Sequence, residues 1–274
     1  MELLFLAEYH KLADGERESV LSAIQNAGIE KLVLSSGVYE YDLAHPGFLD
    51  KLCGFMEKRR LSFASAHGLW SANNDLNWPD ERGREEMVRC QVRYLEKAAA
   101  LGCRSFVLHP GVAYMRYDRQ KLWDKVRKSV ESLLPEAEKN QIILALENNV
   151  TMNLGIDCAE LADFISSFDS PFLGACFDSG HAHAVSDVLA SFAALAPHVV
   201  TAHLHDNDGS GDQHRLPGAG TIPWEKLMAL LGKAPRLCHV ESEPAGMGDA
   251  DKILQALAIY TKLPGISRSN MESL

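Results

Sequence analysis

Between Asp178 and His214, five groups could bind a metal at short range: Asp178, His181, His203, Asp212 and His214. Imidazole and carboxylate together suit zinc, manganese, iron or cobalt, and disfavour a soft, thiolate-seeking metal. In the Asp212-x-His214 pair, alternation along an extended segment puts both side chains on one side. Two neighbours can then reach one ion. The next run, Leu216-Pro217-Gly218-Ala219-Gly220, forces a loop rather than a helix.

The rest of the chain must bring these groups together. Short apolar runs alternate with helical patterns along its whole length. Strand-like runs are expected at 3–7, 31–35, 61–66, 105–108, 142–146, 173–177, 199–204 and 237–240. Helical patterns are expected at 16–27, 48–58, 81–101, 121–139, 158–168, 187–195, 223–231 and 249–261, with Pro135 as a kink or a break. Continuous apolar strands are typical of parallel sheets covered on both faces. The alternation and the length of 274 residues predict an α/β fold, a (β/α)8 TIM barrel occupying 1–264 with a polar tail over 265–274. A doubly wound open sheet is the weaker alternative, because no glycine-rich phosphate turn comes after the first strand. The expected strand ends carry His67, His109, Glu147, Asp178, His203 and Glu241. In a parallel barrel these ends open on one face, where active sites lie. One such residue alone is usually a hydrogen-bonded polar group. The set together points to a site.

Composition narrows the class. Apolar residues make up 46% and charged residues 23% of the chain, ordinary for a globular protein. The formal net charge of −10 argues against a sequence-independent grip on nucleic acid. No apolar run approaches the ~20 residues of a membrane span, and the N-terminus lacks the basic region of a signal peptide. The six cysteines are scattered without a C-x-x-C pair. They read as buried thiols of a reduced, cytoplasmic protein.

Several motifs carry a resemblance: His109-Pro110-Gly111, Glu147-Asn148-Asn149, Phe177-Asp178-Ser179-Gly180-His181, His203-Leu204-His205-Asp206-Asn207, and Asp212-x-His214 with Gly218-x-Gly220-x-Ile222-Pro223-Trp224. Over about residues 3–262 the chain resembles the xylose-isomerase-like TIM-barrel superfamily, which holds sugar isomerases and epimerases and also endonuclease IV. The resemblance implies a metal set of Glu147, Asp178, His203 and Glu241. It also implies, from endonuclease IV, further ligands at His67, His109, His181, Asp212 and His214. The implied cofactor is a divalent metal, zinc or manganese, in one to three ions.

The activity implied is that of a metal-dependent isomerase or epimerase of a sugar, sugar phosphate or inosose. A proton moves through an enediolate, with Glu147 and Glu241 as the catalytic pair. The alternative is a zinc phosphodiesterase acting on abasic DNA, like endonuclease IV. Against it, the segment Ser35–Asp42, read as a loop, offers two acids and no arginine to a DNA groove. His181, Arg215, Trp70 and Trp224 are the candidate substrate contacts: Arg215 for an anion, the tryptophans as walls for a sugar's apolar face. His205 is a weaker ligand candidate, and His239 is expected one layer deeper in the barrel. The expected partner is a small sugar-type molecule rather than nucleic acid or membrane, and a homo-oligomer is compatible with the chain.

Overall fold

The computed structural model describes residues 1–70, 76–114, 117–150 and 152–267. Eight parallel strands close in sequence order: β1 Glu2–Leu6, β2 Lys31–Leu34, β3 Ser62–His67, β4 Ser105–Leu108, β5 Ile143–Glu147, β6 Leu173–Asp178, β7 Val199–Leu204 and β8 His239–Ser242. The barrel is shut by β1 against β8, with Glu2 opposite His239 and Leu4 opposite Glu241. The (β/α)8 expectation therefore holds.

The helices among the described residues are α1 Asp14–Asn26, α2 Ser36–Ala44, α3 Phe48–Glu57, α4 Glu81–Ala100, α5 Arg119–Lys139, α6 Cys158–Ser166, α7 Ser179–Val185, α8 Val188–Leu195, α9 Trp224–Leu231 and α10 Ala250–Tyr260. Aspartates cap many of them. Asp80, Asp118, Asp157, Asp187 and Asp249 each accept a backbone N–H of the first turn of α4, α5, α6, α8 and α10, so each helix starts at a fixed point after its strand. Pro135 lies inside α5, which runs on through it.

Three local expectations change. Ser35–Asp42 is not a loop. Ser35 caps α2 by accepting the Val38 N–H, a start signal that the flanking tyrosines and acids obscure. A short helix, α7, begins directly after Asp178. The last strand lies two residues later than expected, so Glu241 sits inside β8 rather than at its end. The expected polar loop after β3 falls partly on residues 71–75, outside the described residues. Of the tail, Ser267 donates its N–H to the Met1 carbonyl, and residues 268–274 lie outside the described residues.

Beneath the barrel mouth, Val107, Ala145, Cys176 and Val200 form a small apolar cluster apart from the main core. Val107, Ala145 and Cys176 stand two residues before His109, Glu147 and Asp178, so they share the inward face and floor the polar site. No helix among the described residues is long and apolar enough to cross a membrane.

Candidate active site

Asp178 ends β6 and also caps α7, accepting the His181 N–H at 2.7 Å. One carboxylate thus fixes both its own strand end and the turn that presents His181. Around His203 three carboxylates converge. Its Nδ1 lies 2.9 Å from Glu243 Oε2, 3.1 Å from Glu147 Oε1 and 3.8 Å from Asp178 Oδ2. Glu147, Asp178, His203 and Glu243 each offer a donor atom within 4.8 Å of the others. The second oxygen of Glu147 faces His109 Nε2 at 3.0 Å and His67 Nε2 at 3.5 Å.

A second group adjoins the first. Asp212 Oδ2 lies 3.1 Å from His214 Nε2 and 3.5 Å from His181 Nε2. His205, with no exposed surface, completes this set. Its Nε2 is 2.9 Å from Asp178 Oδ1, and its ring stacks on His214 at 3.9 Å. Gly180 makes room for that ring, because a Cβ there would overlap it.

These residues suit a divalent cation. Oε2 of Glu147 and Oε2 of Glu243 are buried and have no hydrogen-bond partner, although imidazoles stand near both. An unpaired buried carboxylate oxygen is costly. Three carboxylates with only imidazoles beside them need a counter-charge, and hard oxygen with imidazole nitrogen is the donor set of zinc and manganese. Burial works to raise the Glu147 pKa, but the charges of His203 and His109, with the His203 hydrogen bond, hold it well below the usual range. Glu243 is likewise pushed up by burial and held low by His203. Both therefore stand as carboxylates.

The family profile described as xylose isomerase-like TIM barrel matches residues 1–262. This chain belongs to that family. The uncharacterized protein y4fM of Sinorhizobium fredii is 26% identical over 232 residues, 81% of this chain and 68% of that one. A probable endonuclease 4 of Campylobacter concisus is 25% identical over 54% of this chain and 58% of its own length. Among solved structures, a D-tagatose 3-epimerase-like protein superposes with a TM-score of 0.79 at 23% identity, covering 95% of this chain and 97% of that one. The IOLI protein, crystallised with a zinc atom, has a TM-score of 0.77 at 17% identity over 95% and 98% of the two chains. At these identities the structural matches establish the shared fold.

Within this family member the expected residues do not all meet. His67, His109, Glu147, Asp178, His181, His203, Asp212 and His214 come together. Glu241 does not reach the mouth. It is fully buried, its Oε1 accepting Thr201 Oγ1 at 2.8 Å and facing His239 Nε2 at 3.0 Å, while Oε2 stands 3.4 Å from the far nitrogen of His203. The place expected for Glu241 is taken by Glu243, two residues on and on the same face. The Glu241-x-Glu243 alternation is the signal in the sequence for this, as His203-x-His205 is for His205. His239 lies one layer deeper, as expected, with its Nε2 3.3 Å from Ser105 Oγ.

The cavity over this cluster has a volume of about 390 Å³. Trp70 lines it, 59% exposed, with its ring tilted over His109. Trp224 does not line it. Its indole N–H instead donates to Asp206 Oδ2 at 2.8 Å. Arg215 also stays outside, its guanidinium paired with Asp208 at 2.8 Å.

Proposed function

We propose that this protein is a divalent-metal-dependent isomerase or epimerase of a small polyhydroxy carbonyl compound, working by proton transfer between adjacent carbons. The observation that carries the reading is the convergence of Glu147 and Glu243, each with an unpartnered buried oxygen, beneath a cavity of about 390 Å³. That volume suits a small molecule. Glu147, Asp178, His203 and Glu243 would hold the ion, which when bound supplies Lewis acidity toward a carbonyl oxygen.

The chain's own groups do the rest. Either Glu147 or Glu243, held ionised, can accept a proton from a carbon next to the carbonyl, and the carboxyl so protonated can return it to the adjacent carbon. His67 and His109 fix Glu147 from the side away from His203. Glu241 lies below His203, its Oε2 3.4 Å from Nε2, where a carboxylate commonly orients a metal-binding histidine. Trp70 gives the outer wall an apolar face.

A screen of aldoses, ketoses and inososes with zinc- or manganese-loaded protein tests this. Turnover that chelation abolishes and that Glu147→Gln removes is expected. No turnover of any polyhydroxy carbonyl compound would defeat it. A second reading, phosphodiester cleavage, is favoured by the His181, His205, Asp212 and His214 set beside the first cluster. Against it, the described residues lining the cavity include acids and histidines but no lysine or arginine. Nicking of a duplex carrying one abasic site, lost in Glu147→Gln, would support that second reading.

A further inference from the structure

Two places near the barrel mouth suit an anion, and a carboxylate of the chain lies at each, though only Glu8 lines the cavity. The first is the loop after β7. In such barrels phosphate groups commonly sit on backbone N–H groups of the loops after the seventh and eighth strands. Here the Asp206 carboxylate takes those donors. It accepts from Gly218 N at 2.8 Å, Gly220 N at 3.1 Å, Ile222 N at 3.2 Å, Trp224 Nε1 at 2.8 Å and Asn207 N at 2.9 Å. Asp206 and Asn207 are fully buried. Gly220 must be glycine, because a Cβ there would collide with Asn207 O and Asp206 Oδ1.

The second is the start of α2, whose residues Ser35 and Ser36 line the cavity beside Glu8. The partial positive charge of a helix N-terminus favours an anion. The Glu8 carboxylate already lies there: a Cβ on Gly37 would stand 2.7 Å from Glu8 Oε2. His10 Nδ1 lies 3.3 Å from the same oxygen. The one arginine in the motif region that could have met an anion, Arg215, is committed to Asp208. Among the described residues the cavity thus meets an incoming ligand with Glu8, Asp212, Glu243 and histidines, and with no fixed cation.

We propose that Glu8 excludes phosphorylated ligands, the loop donors after β7 being already taken by Asp206, so that the site takes a neutral polyhydroxy compound whose far hydroxyl donates to Glu8. Calling that compound a substrate rests on the isomerase reading, whereas the binding preference can be tested without it. A carboxylate accepts hydrogen bonds from hydroxyl groups and repels a phosphate dianion, and like charges placed together cost enough to discriminate by about tenfold or more.

The test measures binding of two probes, xylitol and xylitol 5-phosphate, to manganese-loaded wild type, Glu8→Gln and Glu8→Ala by calorimetry. Wild type should bind xylitol about tenfold or more tightly than its phosphate, and the ratio should fall by about tenfold in Glu8→Gln. Inorganic phosphate, which can bind the metal, serves as the control. Equal or tighter binding of xylitol 5-phosphate to wild type overturns the proposal. So does an unchanged ratio in both variants, binding of neither probe, or a gain for inorganic phosphate that matches the gain for the ester. Ketose turnover is read separately. Turnover absent with the binding preference intact removes the isomerase reading alone, and turnover of phosphorylated ketoses only removes this one.

Discussion

Replacing Glu243 by Gln should weaken the protein both with and without its metal, and most where the metal is bound. Glu147 Oε1 and Glu243 Oε2 approach the same nitrogen of His203, in a set whose donor atoms lie within 4.8 Å of one another. Two unit charges at about that separation repel by about 3 kcal/mol at an effective dielectric constant near 20. Charge on His203 more than offsets this, because it holds the Glu243 pKa below the usual carboxylate range. Removing that carboxylate should then destabilise the metal-free protein at neutral pH, a fall of a few degrees in melting temperature. The same change deletes a charged ligand, so the stabilisation on adding zinc or manganese should shrink sharply. Glu241→Gln makes the informative contrast. It leaves the mouth intact and loosens His203 from below, which is typically worth about 10–100-fold in metal affinity. Thermal unfolding of wild type and both variants, in chelator and in excess metal, separates the cases. If Glu243→Gln keeps the wild-type metal shift while Glu241→Gln loses it, Glu241 is the ligand and the reasoning fails.

Asp212→Asn and His214→Ala should each lower the bound metal by one ion per chain if the second cluster is a metal site. Unchanged stoichiometry by elemental analysis would leave those groups to bind substrate or order the loop. Gly180→Ala should cost about 1–3 kcal/mol by driving a methyl group into the His205 ring, read as a lower melting temperature. An unaltered melt would mean that the ring has room to move. In the metal-free protein, burial works to lower the His214 pKa, but its hydrogen bond to Asp212 and the charges of Glu243 and Asp178 raise it to about 9. A raised folded value contributes stability that is full below the unfolded value of about 6.5 and is lost as pH climbs through about 9. His214→Gln should therefore flatten the decline of metal-free stability between those limits, and an unchanged pH profile would remove the Asp212–His214 pair as its source.

The barrel is legible in the sequence because most of its strands are unbroken apolar runs and most of its helices carry one apolar stripe, two periods that do not mimic each other. The strand ends are legible for the same reason: a ligand-type residue stops an apolar run at His109, Glu147 and Asp178. Where this fails, the strand itself is polar. The last strand reads His239-Val240-Glu241-Ser242, so the apolar run ends before the strand does, and the ligand position is set two residues early. His205 and Asp206 are obscured by lying past the apolar part of β7. Their roles depend on groups far along the chain: Gly180 and Asp178 for His205, and the glycine loop for Asp206. Trp224 and Arg215 have the side-chain chemistry of substrate contacts, but each meets an aspartate only the fold could supply. The helix α2 escapes notice because its cap, Ser35, is a small polar residue among others, and no strong apolar stripe marks the helix itself.

The most direct measurement is solvent exchange at carbon. Metal-loaded protein is incubated in deuterium oxide with a panel of unphosphorylated aldoses, ketoses and inososes, and the hydrogens next to the carbonyl are followed by proton NMR. Metal-dependent deuterium incorporation into at least one compound is expected, reduced by about 10²–10⁴-fold in Glu147→Gln. No incorporation above the chelated control for any compound, from a preparation that binds its metal, would contradict it.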